Sequence, residues 1–219
     1  MQLKLYFAGA LSERALVSQL WAEVQKAAPQ IMTSKDATGR PEFGLEVACT
    51  FPWFDLEPCA HDPASLLERA DAEIQAVRDA DAVIAVGPGG RGTHFEMGLA
   101  YGLGKPVLLV DAKARMLFSS PTAAYPCVFH SRLLHVEIGK GVAGFRVLTA
   151  LLPEPGSVWE HDVRKSLYQV VRLGRVQSSG SPLHGLGDNV LTVYYEHEET
   201  RAAWFRPLGE FLRRFTREL

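Results

Sequence analysis

The chain has 219 residues, 47% hydrophobic and 22% charged, with a net charge of −2 at neutral pH. That is globular composition, with enough chain for one good core and an appendage. The slightly acidic balance argues against a nucleic-acid polymer as partner, although a local loop can still bind a small anion.

LKLYFA (3–8) reads as a buried strand, and Ser12 can cap a helix running to about Ala28, with Leu16, Leu20, Trp21 and Val24 at helical spacing. A polar loop (33–41) precedes a strand, GLEVACTF (44–51), and a long loop, FPWFDLEPCAHDP (51–63). Asp62 caps the next predicted helix, with Pro63 in its first turn and an end near Asp79. AVIAV (82–86), a glycine-rich loop, a helix from about Thr93 to Leu103 and the strand KPVLLVD (105–111) follow. RLLHVEI (132–138) fits a fifth strand and 144–152 a further helix. Continuous apolar strands alternating with helices predict an α/β fold, a doubly wound parallel sheet of about five strands covered on both faces.

LPEPGS (152–157) is the best boundary, dividing a core, 1–155, from a C-terminal α/β extension, 156–219. In the extension, 159–173 reads as helical, a Gly/Ser-rich loop follows, and NVLTVYYEH reads as a strand. A final helix over 200–218 places Trp204, Leu208, Phe211, Leu212 and Phe215 on one face, suited to a core or a partner rather than a membrane. No run approaches the ~20 apolar residues of a membrane span, and the apolar run in MQLKLYFAGAL is too short for a signal peptide. A cytoplasmic protein is expected. Three widely spaced cysteines, Cys49, Cys59 and Cys127, indicate neither a disulfide framework nor a zinc site. Cys59-Ala60-His61 is the nearest approach to a ligand cluster, and no metal or redox cofactor is expected.

GPGGRGTHFEMG (87–98) fits three templates. As G-x-G-x-x-G (Gly87, Gly89, Gly92) it matches a dinucleotide fingerprint, with Asp111 at a suitable distance. It follows the third strand rather than the first, however, and Glu96 would repel a pyrophosphate. As Thr93-x-x-Glu96 it is a capping box. Gly89, Gly90 and Gly92 leave the loop without side-chain bulk, as close approach of a ligand requires. The loop also sits at the carboxyl end of a central strand, where open α/β sheets bind ligands.

KLYFAGAL, AEIQAVRDADAVIAV and GTHFEMGLAYGLGKPVLLV occur in that order within the first 110 or so residues. Together they resemble the nucleoside 2-deoxyribosyltransferase family and its nucleotide N-glycosidase relatives, with the Gly-Thr-x-x-Glu-x-Gly block the specific part. The resemblance implies a flavodoxin-like fold, cleavage of the bond between a base and C1′ of a (deoxy)ribose, and homo-oligomers. PGGRGTHFE is also similar to the P-G-G-x-G-T-x-x-E loop of phosphoribohydrolases, whose glycine-rich turn after the first strand is replaced here by AGALSER.

By that resemblance Glu96 matches a nucleophilic glutamate and Tyr6 a tyrosine that orients it. In the first turn of a helix, Glu96 would be favoured in its ionised form, suiting a nucleophile or an oxocarbenium stabiliser. Glu73 stands where the family usually has an aspartate that contacts the base or supplies a proton, and Gly90 stands where it often has Asp or Ser on the sugar hydroxyls. Arg91 can meet a phosphate bidentately, the backbone over Gly89–Thr93 can form an anion nest, and His94 can donate to a leaving base. Ser12 with Arg14 is a second phosphate candidate, and Trp53 can stack a base or anchor its loop. The expectation is an enzyme that cleaves or transfers at the N-glycosidic bond of a nucleoside or nucleoside 5′-monophosphate. The alternatives are a phosphoribohydrolase of 5′-monophosphates and a non-catalytic nucleotide-binding sensor.

Overall fold

Side chains of the first strand, β1 (Gln2–Ala8), point alternately into two apolar clusters. Leu3, Leu5 and Phe7 enter one, and Tyr6 and Ala8 the other. A strand buried on both faces requires a layer on each side. The computed structural model describes residues 1–36, 38–57, 62–87, 89–111, 134–137, 143–176 and 190–218. Helix α1 (Arg14–Ala27) leads to a small antiparallel hairpin, β2 (Met32–Lys35) and β3 (Pro41–Phe43), within the stretch expected to be a plain loop. Next come β4 (Glu46–Cys49), α2 (Pro63–Asp79), β5 (Ala82–Val86), α3 (Arg91–Gly102), β6 (Val107–Asp111), β7 (Leu134–Glu137) and α4 (Ala143–Leu151).

The five long-range strands form one sheet in the order β4-β1-β5-β6-β7, and every neighbouring pair is parallel. This is the flavodoxin-like order that the family resemblance implies. Helices α1 and α4 cover one face through Val17, Leu20, Val24, Val147 and Leu148. Helices α2 and α3 cover the other through Ala76, Val77, Met97 and Ala100. Because the chain leaves β1 for β4 on one side and returns to β5 on the other, a topological switch point opens at the carboxyl ends of β1 and β5.

Residues beyond α4 form a second, antiparallel sheet: β8 (Val158–His161), β9 (Leu167–Val176), β10 (Val190–His197), β11 (Ala203–Pro207) and β12 (Phe215–Arg217), in the order β11-β10-β9-β8-β12. The helix expected over 159–173 is therefore two strands. The long terminal helix is only α5 (Leu208–Leu212), set between two strands. Pro207 accounts for that break, since it disfavours helical backbone at Arg206 and suits a helix start behind it. Phe211 and Phe215 are buried as expected, while Trp204 is 39% exposed. Tyr168, Val170, Leu173, Val193, Tyr195 and Phe211 join the same apolar cluster as α1 and α4, so the two sheets share one core. Arg175 fastens them at the opposite end from the switch point: its guanidinium grips both carboxylate oxygens of Asp81 and donates to the Gln2 carbonyl. Cys59, His61, Pro88, Cys127 and most of the Gly/Ser-rich loop lie outside the described residues.

Candidate active site

Two chain reversals, the 9–13 turn and the 51–57 loop, meet the start of the helix at Arg91–Gly102 near the carboxyl ends of β1 and β5. Between them lies a cleft of about 370 Å³ whose walls include Gly9, Leu11, Arg14, Trp53, Glu73, Gly92, Thr93 and Glu96. A second crevice of about 400 Å³ lies at the amino ends of the strands, around Lys4, Asp81, Lys105 and Arg175. There Arg175 is paired with Asp81, and the Lys105 ammonium donates to the Arg78 and Ala80 carbonyls. The switch-point cleft is the better candidate, because ligands of open α/β sheets bind at carboxyl ends.

Glu96 arrives on α3, which begins at Arg91 with Gly90 as its N-cap. The expected capping box from Thr93 to Glu96 is not formed. The Thr93 hydroxyl instead accepts from the Gly90 N–H at 3.1 Å, so the cap lies one turn earlier. That leaves Glu96 in the second turn, facing inward and 9% exposed. Its Oε1 accepts a 2.5 Å hydrogen bond from the Tyr6 hydroxyl. Burial pushes the Glu96 carboxyl up to about 7, further raised by the Glu73 charge and opposed by the Tyr6 hydrogen bond. The expectation of a dipole-favoured, readily ionised glutamate is thus overturned, since desolvation outweighs a helix end that lies a turn away. Burial beside Glu96 raises the Tyr6 phenol well above its ordinary range, so the hydroxyl stays protonated and remains a donor.

Glu73 reaches the cleft from α2, the helix capped by the Asp62 side chain on the Ser65 N–H as expected. Burial raises its carboxyl and the nearby Arg69 lowers it. Leu66, Arg69, Ala70 and Glu73 all line the cleft and share one face of α2 at spacings of three and four. Arg69 was overlooked in the sequence, although that periodicity points to it. Its guanidinium lies 5.3 Å from the Phe51 ring centroid.

The structure brings Glu73, Gly92, Thr93, Glu96 and Trp53 to the cleft wall, sets the fully buried Tyr6 behind Glu96, and leaves other candidates off the wall. Trp53 is buried, and its indole N–H donates to the Phe7 carbonyl at 2.6 Å, so it anchors the loop from which it lines the cleft. Gly89, Gly90, Arg91 and His94 adjoin the wall residues in sequence but do not line the cleft themselves. Gly89 has φ +65°, and an added Cβ would come within 2.8 Å of the Thr93 side chain, so glycine is required there. A Cβ on Gly92 would meet no protein atom within 4 Å. Ser12 does not cap α1. It lies in a 3₁₀ turn (Leu11–Glu13), and its hydroxyl donates to Glu13 at 2.9 Å. Among the described residues no cluster of three or more His, Cys, Asp or Glu could hold a metal ion, and no helix is long and apolar enough to cross a membrane.

A family model described as nucleoside 2-deoxyribosyltransferase matches residues 5–147. No curated protein matches the chain. Similar solved structures include a CMP N-glycosidase from Clostridium botulinum, 18% identical over 66% of this chain and 97% of that one, with a TM-score of 0.38. A conserved protein from Enterococcus faecalis is 18% identical over 67% of this chain and 88% of that one (TM-score 0.37). A 2-deoxyribosyltransferase from Bacillus psychrosaccharolyticus is 15% identical over 62% of this chain and 99% of that one (TM-score 0.35).

Proposed function

We propose, on the premise that the chain belongs to the nucleoside 2-deoxyribosyltransferase family, that Glu96 is the group through which it cleaves or transfers at the N-glycosidic bond of a nucleoside or nucleoside 5′-monophosphate. The observation that carries this reading is the Tyr6–Glu96 hydrogen bond in a switch-point cleft that Glu73 also lines. Tyr6 holds one carboxylate oxygen and leaves the other to face C1′. Attack by that oxygen forms a C1′–O bond as the C1′–N bond breaks, and the electron pair passes to the base. Glu73, whose carboxyl burial raises and Arg69 lowers, supplies a proton to the leaving base. Water or a second base then displaces Glu96 from C1′, giving hydrolysis or transfer. The open space at Gly92 and the lack of bulk at Gly90 suit a sugar lying against the loop. Arg91 and His94 are held in reserve at the same helix start, Arg91 exposed to solvent.

All the cleft's lining residues lie between positions 9 and 96. The core, 1–155, accordingly carries the chemistry and the extension, 156–219, buttresses it. Leu11 and Leu66 on the cleft wall, with Leu67 next to Leu66 and Phe95 next to Glu96 in sequence, are exposed and would serve a homo-oligomer. Sedimentation showing a monomer at micromolar concentration would remove that part of the reading.

The test is chromatographic base release from ribo- and deoxyribonucleosides and their 5′-monophosphates, with and without an acceptor base. Glu96→Gln should lower kcat/KM by about 10³-fold or more, as expected for loss of a nucleophile. Tight ligand binding with no base release by the wild type would instead favour a sensor.

A further inference from the structure

We propose that the extension carries a second binding site, a pocket for a phosphate group, free or borne on a small molecule, where the turn after β8 faces the end of α5. The pocket holds about 480 Å³ and is lined by His161, Asp162, Val163, Glu210, Arg213 and Arg214. None of these residues lines the switch-point cleft, so the site goes beyond the glycosidic reading and does not depend on it. His161 is only 6% exposed, and its ring meets that of Phe215 edge-on at 4.9 Å. Its Nδ1 accepts from the Val163 N–H at 3.3 Å and the Arg164 N–H at 3.2 Å. Those two donors fix the neutral tautomer, with its hydrogen on Nε2. The Nε2–H has no acceptor among the described residues. Glu23 Oε2 is the one fully buried side-chain nitrogen or oxygen there without a partner, so the Nε2–H reaches solvent, and the pocket is the opening that His161 lines.

The charge around that donor decides what it can hold. Burial, then the charges of Arg164, Arg206 and Arg214, keep the imidazole below its ordinary range against the opposing pull of Asp162, so it stays neutral. Both carboxylates of the pocket already have partners. Asp162 accepts from the Thr216 hydroxyl at 2.9 Å, and Glu210 accepts from Arg206 at 2.6 Å and from Arg214 at 3.1 Å. Arg213 donates its Nε to the Gly209 carbonyl at 3.0 Å and meets no carboxylate among the described residues. Arg164, Arg206, Arg213 and Arg214 thus stand against Asp162 and Glu210, an excess of two positive charges around a neutral imidazole. A phosphate dianion cancels that excess, and its oxygens can accept from the imidazole N–H and from a guanidinium together. A cation would be repelled, and a neutral ligand would leave the excess in place.

The experiment titrates the full chain with inorganic phosphate at constant ionic strength, reading heat and the ring nitrogen signals of His161 by NMR. Saturable binding with a Kd of about 1 mM or tighter is expected, with the His161 Nε2 signal moving along the same curve. His161→Asn keeps an oxygen for the two backbone N–H groups and removes the Nε2–H. Arg213→Gln removes a surface charge and is the variant to read if the first fails to fold. Each should weaken binding by about 10-fold or more, as loss of one charge-assisted contact predicts. Arg14→Gln, at the switch-point cleft, should leave the Kd unchanged. No saturable binding up to about 20 mM, a still His161 signal, or a Kd unmoved in Arg213→Gln overturns the proposal, as does binding lost in Arg14→Gln. Glycerol 3-phosphate distinguishes the sources: binding tighter than that of inorganic phosphate supports a phosphorylated small molecule, and weaker binding supports the free ion.

Discussion

Glu96 is pulled in two directions: burial and the charge of Glu73 hold its proton on, while the Tyr6 hydroxyl favours the carboxylate. A nucleophile must be ionised, so kcat/KM should rise with pH along a limb near 7 and fall off below it. The two carboxyls titrate as a coupled pair whose productive form carries its one proton on Glu73 and the charge on Glu96, so the profile should close again on the alkaline side once that proton is lost. Tyr6→Phe removes the one interaction that lowers the Glu96 value. Its acid limb should move to higher pH, and kcat should fall by about 10- to 100-fold, as when one preorganised donor is lost. A pH–rate profile of both proteins tests this, and an unshifted limb in Tyr6→Phe would detach the tyrosine from the glutamate's chemistry. Glu96 and Tyr6 were legible as candidates from their motif blocks. The raised carboxyl was not, because burial by packing is invisible to a motif.

Helix α1 and helix α4 pack closely because Gly144 has no side chain, and an added Cβ would lie 2.2 Å from the Glu23 carbonyl oxygen. Gly144→Ala should force the helices apart and cost about 1–3 kcal/mol, measurable in a chemical melt. A change within error would mean that the pair adjusts freely. Helix α2 was readable to its ends, because Asp62-Pro63 is a strong local start signal. Strand β9 was misread for a specific reason. Its buried residues Tyr168 and Val170 alternate, but Leu173 follows at a spacing of three. Opposite this step the ladder slips between Tyr194 and Tyr195, pairing them with Arg172 and Val170 and leaving Val171 as the extra residue. A β-bulge thus converts a period of two into one that imitates a helix.

Between the sheets, the Asp81 carboxylate is the shared anchor, accepting from the Lys4 N–H at 2.7 Å and from the Arg175 guanidinium. Both side chains of the pair are at most 15% exposed. Removing one partner of such a pair leaves the other buried and uncompensated, which costs about 3–5 kcal/mol. Asp81→Asn should therefore lower the thermal midpoint strongly while kcat/KM, measured well below it, stays near wild type. Loss of activity at full folding would instead give the second sheet a part in catalysis. The parallel α/β core, its strand positions and the placement of the Gly-Thr-x-x-Glu block could be determined from the sequence, because continuous apolar runs and capping residues are local records of local backbone. The tertiary structure alone decided that Tyr6 meets Glu96 across 90 positions and that the extension is an antiparallel sheet sharing the main core. Those outcomes depend on strand order and on which faces pack together, and neither is recorded in the periodicity of any single segment.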